Sequence, residues 1–181
     1  MYDQFKSRAT AVGAEVHRVA TRSEALAFVL GFLRAEGVAD LPGRYAVWAD
    51  GPFRQTVMGA LPEVSGLSLE VTRERAAQAR VGISDMAFAV ADTGSLVQDQ
   101  TAPDQRLASS LTGIHLAVVP SANIVGDKSA LFSRIDPRTA RYIAFITGPS
   151  RTADIERVLT IGVHGPERLI VLFVDEPGGE A

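Results

Sequence analysis

Gly148-Pro149-Ser150-Arg151-Thr152-Ala153-Asp154-Ile155-Glu156 is followed eight residues later by His164-Gly165-Pro166. Upstream, Tyr142 to Thr147 reads as a buried strand that Gly148-Pro149 terminates. The spacing predicts a helix over Thr152 to Ile161, with Ser150 or Thr152 accepting from its free backbone N–H groups. A strand that restarts as a helix with bared N–H groups is where α/β proteins bind ligands, and this junction sets the expected fold class.

The rest of the chain repeats the alternation. Glu15 to Val19 reads as a strand, and Thr21-Arg22-Ser23-Glu24 has capping-box spacing. The helix it opens carries Ala25, Leu26, Phe28, Val29, Phe32 and Leu33, with Gly37 as its stop. Further strands are expected at Tyr45 to Trp48, Leu67 to Val71, Ala87 to Ala91, Ser95 to Gln98, His115 to Val119 and Arg168 to Val174. Short helices are expected at Arg73 to Arg80, Arg106 to Leu111 and Asp127 to Arg134. Strand and helix in turn argue for an α/β fold, a layered, mainly parallel sheet flanked by helices. Asp92-Thr93-Gly94 reads as a hairpin turn and a local antiparallel excursion.

Composition bounds the function classes. At 181 residues and 46% hydrophobic content, one domain over residues 1–175 is expected, with a flexible tail at 176–181. A chain of this size buries roughly 70% of the surface its unfolded form exposes. No apolar run is long enough to span a bilayer and the first residues lack a signal-peptide layout, so no membrane insertion and a cytoplasmic location are expected. Net charge is −3, with basic residues interleaved by acids, which argues against nucleic acid as a partner. With no cysteine, this chain can supply neither a thiol nucleophile nor thiolate ligands to zinc or an iron–sulfur cluster.

The Gly148 loop has two readings. Its N–H groups and Arg151 suit a phosphate or carboxylate, whereas Asp154 and Glu156 offset a helix dipole without any ligand. Asp154 is either a helix-start acid or a carboxylate for a hydroxyl, a metal or a partner's arginine. In Asp92-Thr93-Gly94 the glycine permits positive φ and the flanking hydroxyls reach a nearby ligand, or the segment is a plain turn. His17 is expected in solvent, and His115 in the core or at a strand end. His164 is either a general acid or base or a structural hydrogen-bonding group. No metal-ligand spacing of the HExxH kind, Walker A sequence, GxGxxG or GxSxG elbow is present, and no metal site is expected.

The run Gly82-Ile83-Ser84-Asp85-Met86-Ala87-Phe88-Ala89-Val90-Ala91-Asp92-Thr93-Gly94-Ser95 resembles a signature of the LUD domain family, which includes the lactate-utilisation C proteins. Gly148 to Glu156 with Gly162-Val163-His164-Gly165-Pro166 is similar to the family's most recognisable block. The resemblance is closest over residues 80–175. It implies an α/β fold related to the sugar-phosphate isomerase, CoA-transferase and formyltetrahydrofolate cyclo-ligase group. It also implies an accessory or subunit role in oxidising L-lactate to pyruvate alongside iron–sulfur partner proteins. It groups Thr93, Gly94, Ser150, Thr152, Asp154 and His164 as one site. With the readings above, Asp92, Thr93, Gly94, Gly148, Ser150, Arg151 and Thr152 are the candidate ligand-binding residues, and Asp154 and His164 the candidate catalytic ones. The ligand would be a small organic acid or a nucleotide, and the cofactor is left unspecified. Asp92 departs from the family's usual Glu by one methylene. The alternative is an independent enzyme of the cyclo-ligase or isomerase type, acting on a phosphorylated substrate or nucleotide held by the N–H groups at Ser150 to Thr152.

Overall fold

The computed structural model describes residues 1–155, 158–161 and 165–176, with the backbone alone over 152–161. Its centre is a six-stranded parallel sheet in the order β1-β12-β7-β4-β2-β3. The strands are β1 (Glu15–Val19), β2 (Tyr45–Trp48), β3 (Leu67–Ser68), β4 (Ala79–Asp85), β7 (Ile114–Pro120) and β12 (Arg168–Val174). A four-stranded sheet, β8-β5-β6-β9, is built from β5 (Phe88–Val90), β6 (Ser95–Asp99), β8 (Ile124–Val125) and β9 (Ile143–Ile146). β5 and β6 form the antiparallel excursion expected around Gly94.

Both faces of the parallel sheet are covered, as a sheet of this kind requires. On β12, Ile170, Leu172 and Val174 face one core, and Leu169, Val171 and Phe173 face another. The first core is closed by α2 (Arg22–Ala35) and α3 (Pro52–Val57), through Leu26, Val29, Leu33, Phe53 and Val57. The Thr21–Glu24 capping box starts α2, and Gly37 follows its end at φ +67°. The second core is closed by α1 (Tyr2–Ala11) and the small sheet, with Phe5 edge-on to Phe173 at 5.1 Å. Beside it, α4 (Arg73–Ala77) and α5 (Pro103–Ser110) cover β2 and β4 through Ala76 and Ala108. The remaining helix is α6 (Lys128–Phe132), capped by Asp127.

Several elements differ from the sequence reading: β9, expected to be buried, is only partly covered, with Phe145 exposed, and α3 follows Gly51 where a turn alone is expected. The helix expected over Thr152 to Ile161 is instead an antiparallel pair, β10 (Arg151–Ile155) and β11 (Val158–Ile161). Thr152, Ile155, Val158, Thr160 and Ile161 are all β-branched, and that stiffness favours a pleated strand over a helical turn. Residues Ala79 to Asp85 form a central strand that the expected helix to Arg80 partly overran. On the face opposite Val81 and Ile83 it carries Arg80, Gly82 and Ser84, and the Ala108 carbonyl of α5 packs directly against Gly82. Helix α1 was not anticipated, since its buried side is carried by Phe5 and Ala9 alone. Glu176 is held by its N–H to the Ala20 carbonyl and by its carboxylate to the Arg22 N–H, and the rest of the expected tail lies outside the described residues.

Candidate functional site

The two motifs meet at one end of the small sheet. Antiparallel pairing of β6 with β9 sets Leu96 opposite Ile146, and the Ser95 and Thr147 hydroxyls share a hydrogen bond of 2.7 Å. Gly94 (φ +67°) and Gly148 (φ +75°) both adopt the left-handed region that favours glycine. Both also lie against the last turn of α1. A Cβ on Gly94 would stand 2.5 Å from the Ala9 nitrogen, and one on Gly148 2.6 Å from the Val12 carbonyl. Arg151 donates to that same Val12 carbonyl at 2.5 Å, at the C-cap of α1. The Ser150 N–H donates to the Pro166 carbonyl at 2.8 Å, which draws in Gly165-Pro166, the end of the Gly162 to Pro166 run.

The cluster lies at the amino edge of the parallel sheet, since Val12 precedes β1 and Pro166 precedes β12. Asp92 is exposed, with its N–H on the Gly126 carbonyl, while the Thr93 hydroxyl is buried without a partner. Thr152 and Asp154 lie on β10, Asp154 at a register irregularity between Ala153 and Ile155. His164 lies outside the described residues. Because a strand begins at Arg151, the helical N–H groups expected at Ser150 to Thr152 as an anion cradle are not formed. The charged fork of Arg151 instead serves the carbonyl end of α1, where a cation is favoured.

A different site lies at the opposite, carboxyl edge, where open α/β sheets take ligands. A cavity of about 510 Å³ opens past the ends of β4 and β7. Phe53, Met86, Phe88 and Val118 form apolar walls, and Asp85, Gln98 and Asn123 supply its polar groups. Asp85, the last residue of β4, is 5% exposed. Its Oδ2 accepts the Phe53 N–H at 2.6 Å, across the space left by Gly51, and its Oδ1 is buried without a partner. Burial pushes the carboxyl up to about 6, against the lowering effect of the Phe53 and Arg54 N–H groups and the Arg54 charge. A carboxyl of this kind exchanges protons near neutral pH and accepts from a ligand.

His115 proves to be a core residue, 1% exposed on β7. Its Nε2 bonds the Ser84 hydroxyl at 2.8 Å, and its Nδ1 has no partner. Burial lowers its pKa to about 3, so the ring is neutral. Among the described residues, no group of three or more His, Asp or Glu is placed to hold a metal, and no helix is long and apolar enough to cross a membrane.

A family model for the LUD domain matches residues 2–174. The chain belongs to the LUD domain family. Among similar proteins, Lactate utilization protein C of Exiguobacterium sp. is 33% identical over 113 residues, 59% of this chain and 49% of that protein. The protein of the same name from Bacillus subtilis is 32% identical over 109 residues, 57% of this chain and 45% of that one. This LUD domain chain thus spans about half the length of these relatives. The crystal structure of a DUF162 family protein from Deinococcus radiodurans superposes with a TM-score of 0.62 at 21% identity, covering 96% of this chain and 95% of that one. That likeness establishes the α/β fold.

Asp85 stands inside the Gly82 to Ser95 signature but was not singled out from sequence. The available signal was an acid ending an alternating Val81, Ile83 run before Met86. Burial, which makes the residue distinctive, depends on α3 arriving from elsewhere in the chain.

Proposed function

We propose that this LUD domain chain serves lactate utilisation, as a subunit or accessory of a system that oxidises L-lactate to pyruvate with iron–sulfur partner proteins. The observation that carries the reading is its 33% and 32% identity to proteins named Lactate utilization protein C. The oxidation releases two electrons per lactate. Since this chain has no cysteine, thiolate-held clusters that accept them belong on other chains.

Within this reading, Asp92, Thr93, Gly94, Gly148, Ser150, Arg151 and Thr152 contact a small organic acid or nucleotide, and Asp154 and His164 move protons. Support comes from the meeting of the motifs through the Ser95–Thr147 bond and from the unpartnered Thr93 hydroxyl beside it. Deleting the gene in its host should abolish growth on L-lactate while sparing growth on glucose. The wild-type chain should restore it, and Asp154→Ala should not. Unimpaired growth of the deletion strain on L-lactate would refute the lactate role. Full rescue by Asp154→Ala would leave that role standing and remove Asp154 from the site.

A further inference from the structure

We infer that the outer edge of β9, with the exposed aromatic face beside it, docks an acidic, extended segment of a partner protein, which joins the small sheet as a further strand. The inference goes beyond the lactate role and does not depend on it.

β9 is the last strand in the order β8-β5-β6-β9, so one of its edges has no neighbouring strand among the described residues. The Gln100 N–H donates to the Tyr142 carbonyl at 2.8 Å, which makes these two residues a hydrogen-bonded pair. Alternation along the antiparallel ladder then turns the backbone groups of Ala144 and Ile146 toward β6, and those of Ile143 and Phe145 outward. Among the described residues, no hydrogen bond reaches these outward N–H and C=O groups. Such an edge is a template for one more strand, and only a peptide backbone offers the matching alternation of donors and acceptors.

Side chains beside the edge define the segment. Phe145 on β9 and Phe132 on α6 are 41% and 47% exposed, with ring centroids 6.4 Å apart. They form an apolar face on which a side chain of the added strand rests. Lys128 lies one helical turn before Phe132, Arg134 two residues after it, and Arg141 two residues before β9. All three are exposed, and none has an ion pair among the described residues. The neighbouring acids are committed elsewhere. Asp127 caps α6 through the Ala130 N–H at 2.8 Å, Asp99 accepts from the Thr101 N–H at 2.9 Å, and Asp136 pairs with Arg138 at 3.0 Å. The unpaired charge here is therefore positive, although the chain carries −3, and its complement is acidic. A second copy is a poor occupant for the same reason, since pairing β9 with β9 would bring two sets of these cations into one interface.

The test uses the full chain and a short fluorescein-labelled peptide of alternating valine and glutamate. Comparators are its lysine counterpart, an N-methylated form that cannot extend a ladder, an oligothymidylate and phosphatidylserine vesicles. Binding is read by fluorescence anisotropy, and the Ile143 and Phe145 amides by hydrogen exchange. The glutamate peptide should bind saturably and slow exchange at both amides. Kd should rise tenfold or more in the double variant R134E/R141E. Phe145→Thr, a β-branched replacement at an exposed strand position, should raise it to a similar extent. The inference is overturned if the glutamate peptide does not bind, if either comparator peptide binds as well, or if either variant binds as wild type does. It is equally overturned if the oligonucleotide or the vesicles protect those amides and the peptide does not, or if sedimentation shows a dimer that Phe145→Thr dissociates.

Discussion

Asp85 and His115 are buried on neighbouring strands, and burial moves their ionisation in opposite senses. Asp85 rises from 3.8 to about 6 in the fold. Between those values the native state holds a proton that the unfolded chain has released, so stability falls as pH rises through the window, by about 3 kcal/mol. His115 falls from 6.5 to about 3. Below about 6.5 the unfolded chain takes up a proton that the native state refuses, so stability falls as pH drops through that window, by about 5 kcal/mol in all. The two slopes oppose each other between roughly pH 4 and 6. Urea unfolding across this range should show Asp85→Asn losing stability on acidification more steeply than wild type. His115→Gln should instead gain stability relative to wild type as the pH falls. Parallel profiles for all three proteins would contradict the assigned burial. Neither residue could be assigned this behaviour from the sequence, where each is one polar side chain on an apolar strand.

At the scale of elements, α1 is seated by residues that the sequence marked for another reason. Gly94 and Gly148 press against Ala9 and Val12, and Arg151 bonds the Val12 carbonyl. Gly94→Ala would place a Cβ against the Ala9 nitrogen at a positive φ, and should cost about 1–3 kcal/mol in urea unfolding. Hydrogen exchange over Tyr2–Ala11 should rise more than over Arg22–Ala35, whose capping box is untouched. Equal rises in both helices would argue against this seating. The elements with strong local signals were legible in advance: Glu15 to Val19, Tyr45 to Trp48 and Arg168 to Val174 are strands with the expected bounds. The β10–β11 pair is hidden in the sequence because Gly148-Pro149-Ser150 mimics a helix start, while the β-branched residues beyond it favour a strand.

Across the whole molecule, one charge network ties distant segments at the amino edge of the sheet. Glu36, at the C-cap of α2, accepts from Arg168 on β12 at 2.6 Å and from Arg80 on β4 at 3.2 Å. Arg168 also pairs with Glu15 on β1, and Arg80 with Glu167. These groups are partly exposed, so each pair contributes modestly and is screened by salt. Glu36→Gln should lower stability by about 1 kcal/mol at low ionic strength, with most of the loss vanishing in 1 M NaCl. A loss of the same size in both buffers would mean that packing, rather than charge, is what Glu36 contributes.

The α/β class, the capped helix at Thr21 and most strand positions follow from the sequence by itself, because periodicity, capping and turn chemistry act within a few residues of each other. The family resemblance also rests on contiguous motifs. Tertiary structure alone decided the strand order and the division of β12 between two cores. It also decided that Gly94, Gly148 and Arg151 converge on α1, and that Asp85 ends β4 under α3 with one oxygen unmet. These facts depend on which surfaces bury one another. Packing and hydrogen bonding bring together residues such as Val12 and Arg151, or Phe53 and Asp85, far apart along the chain, and no local pattern records such a pairing.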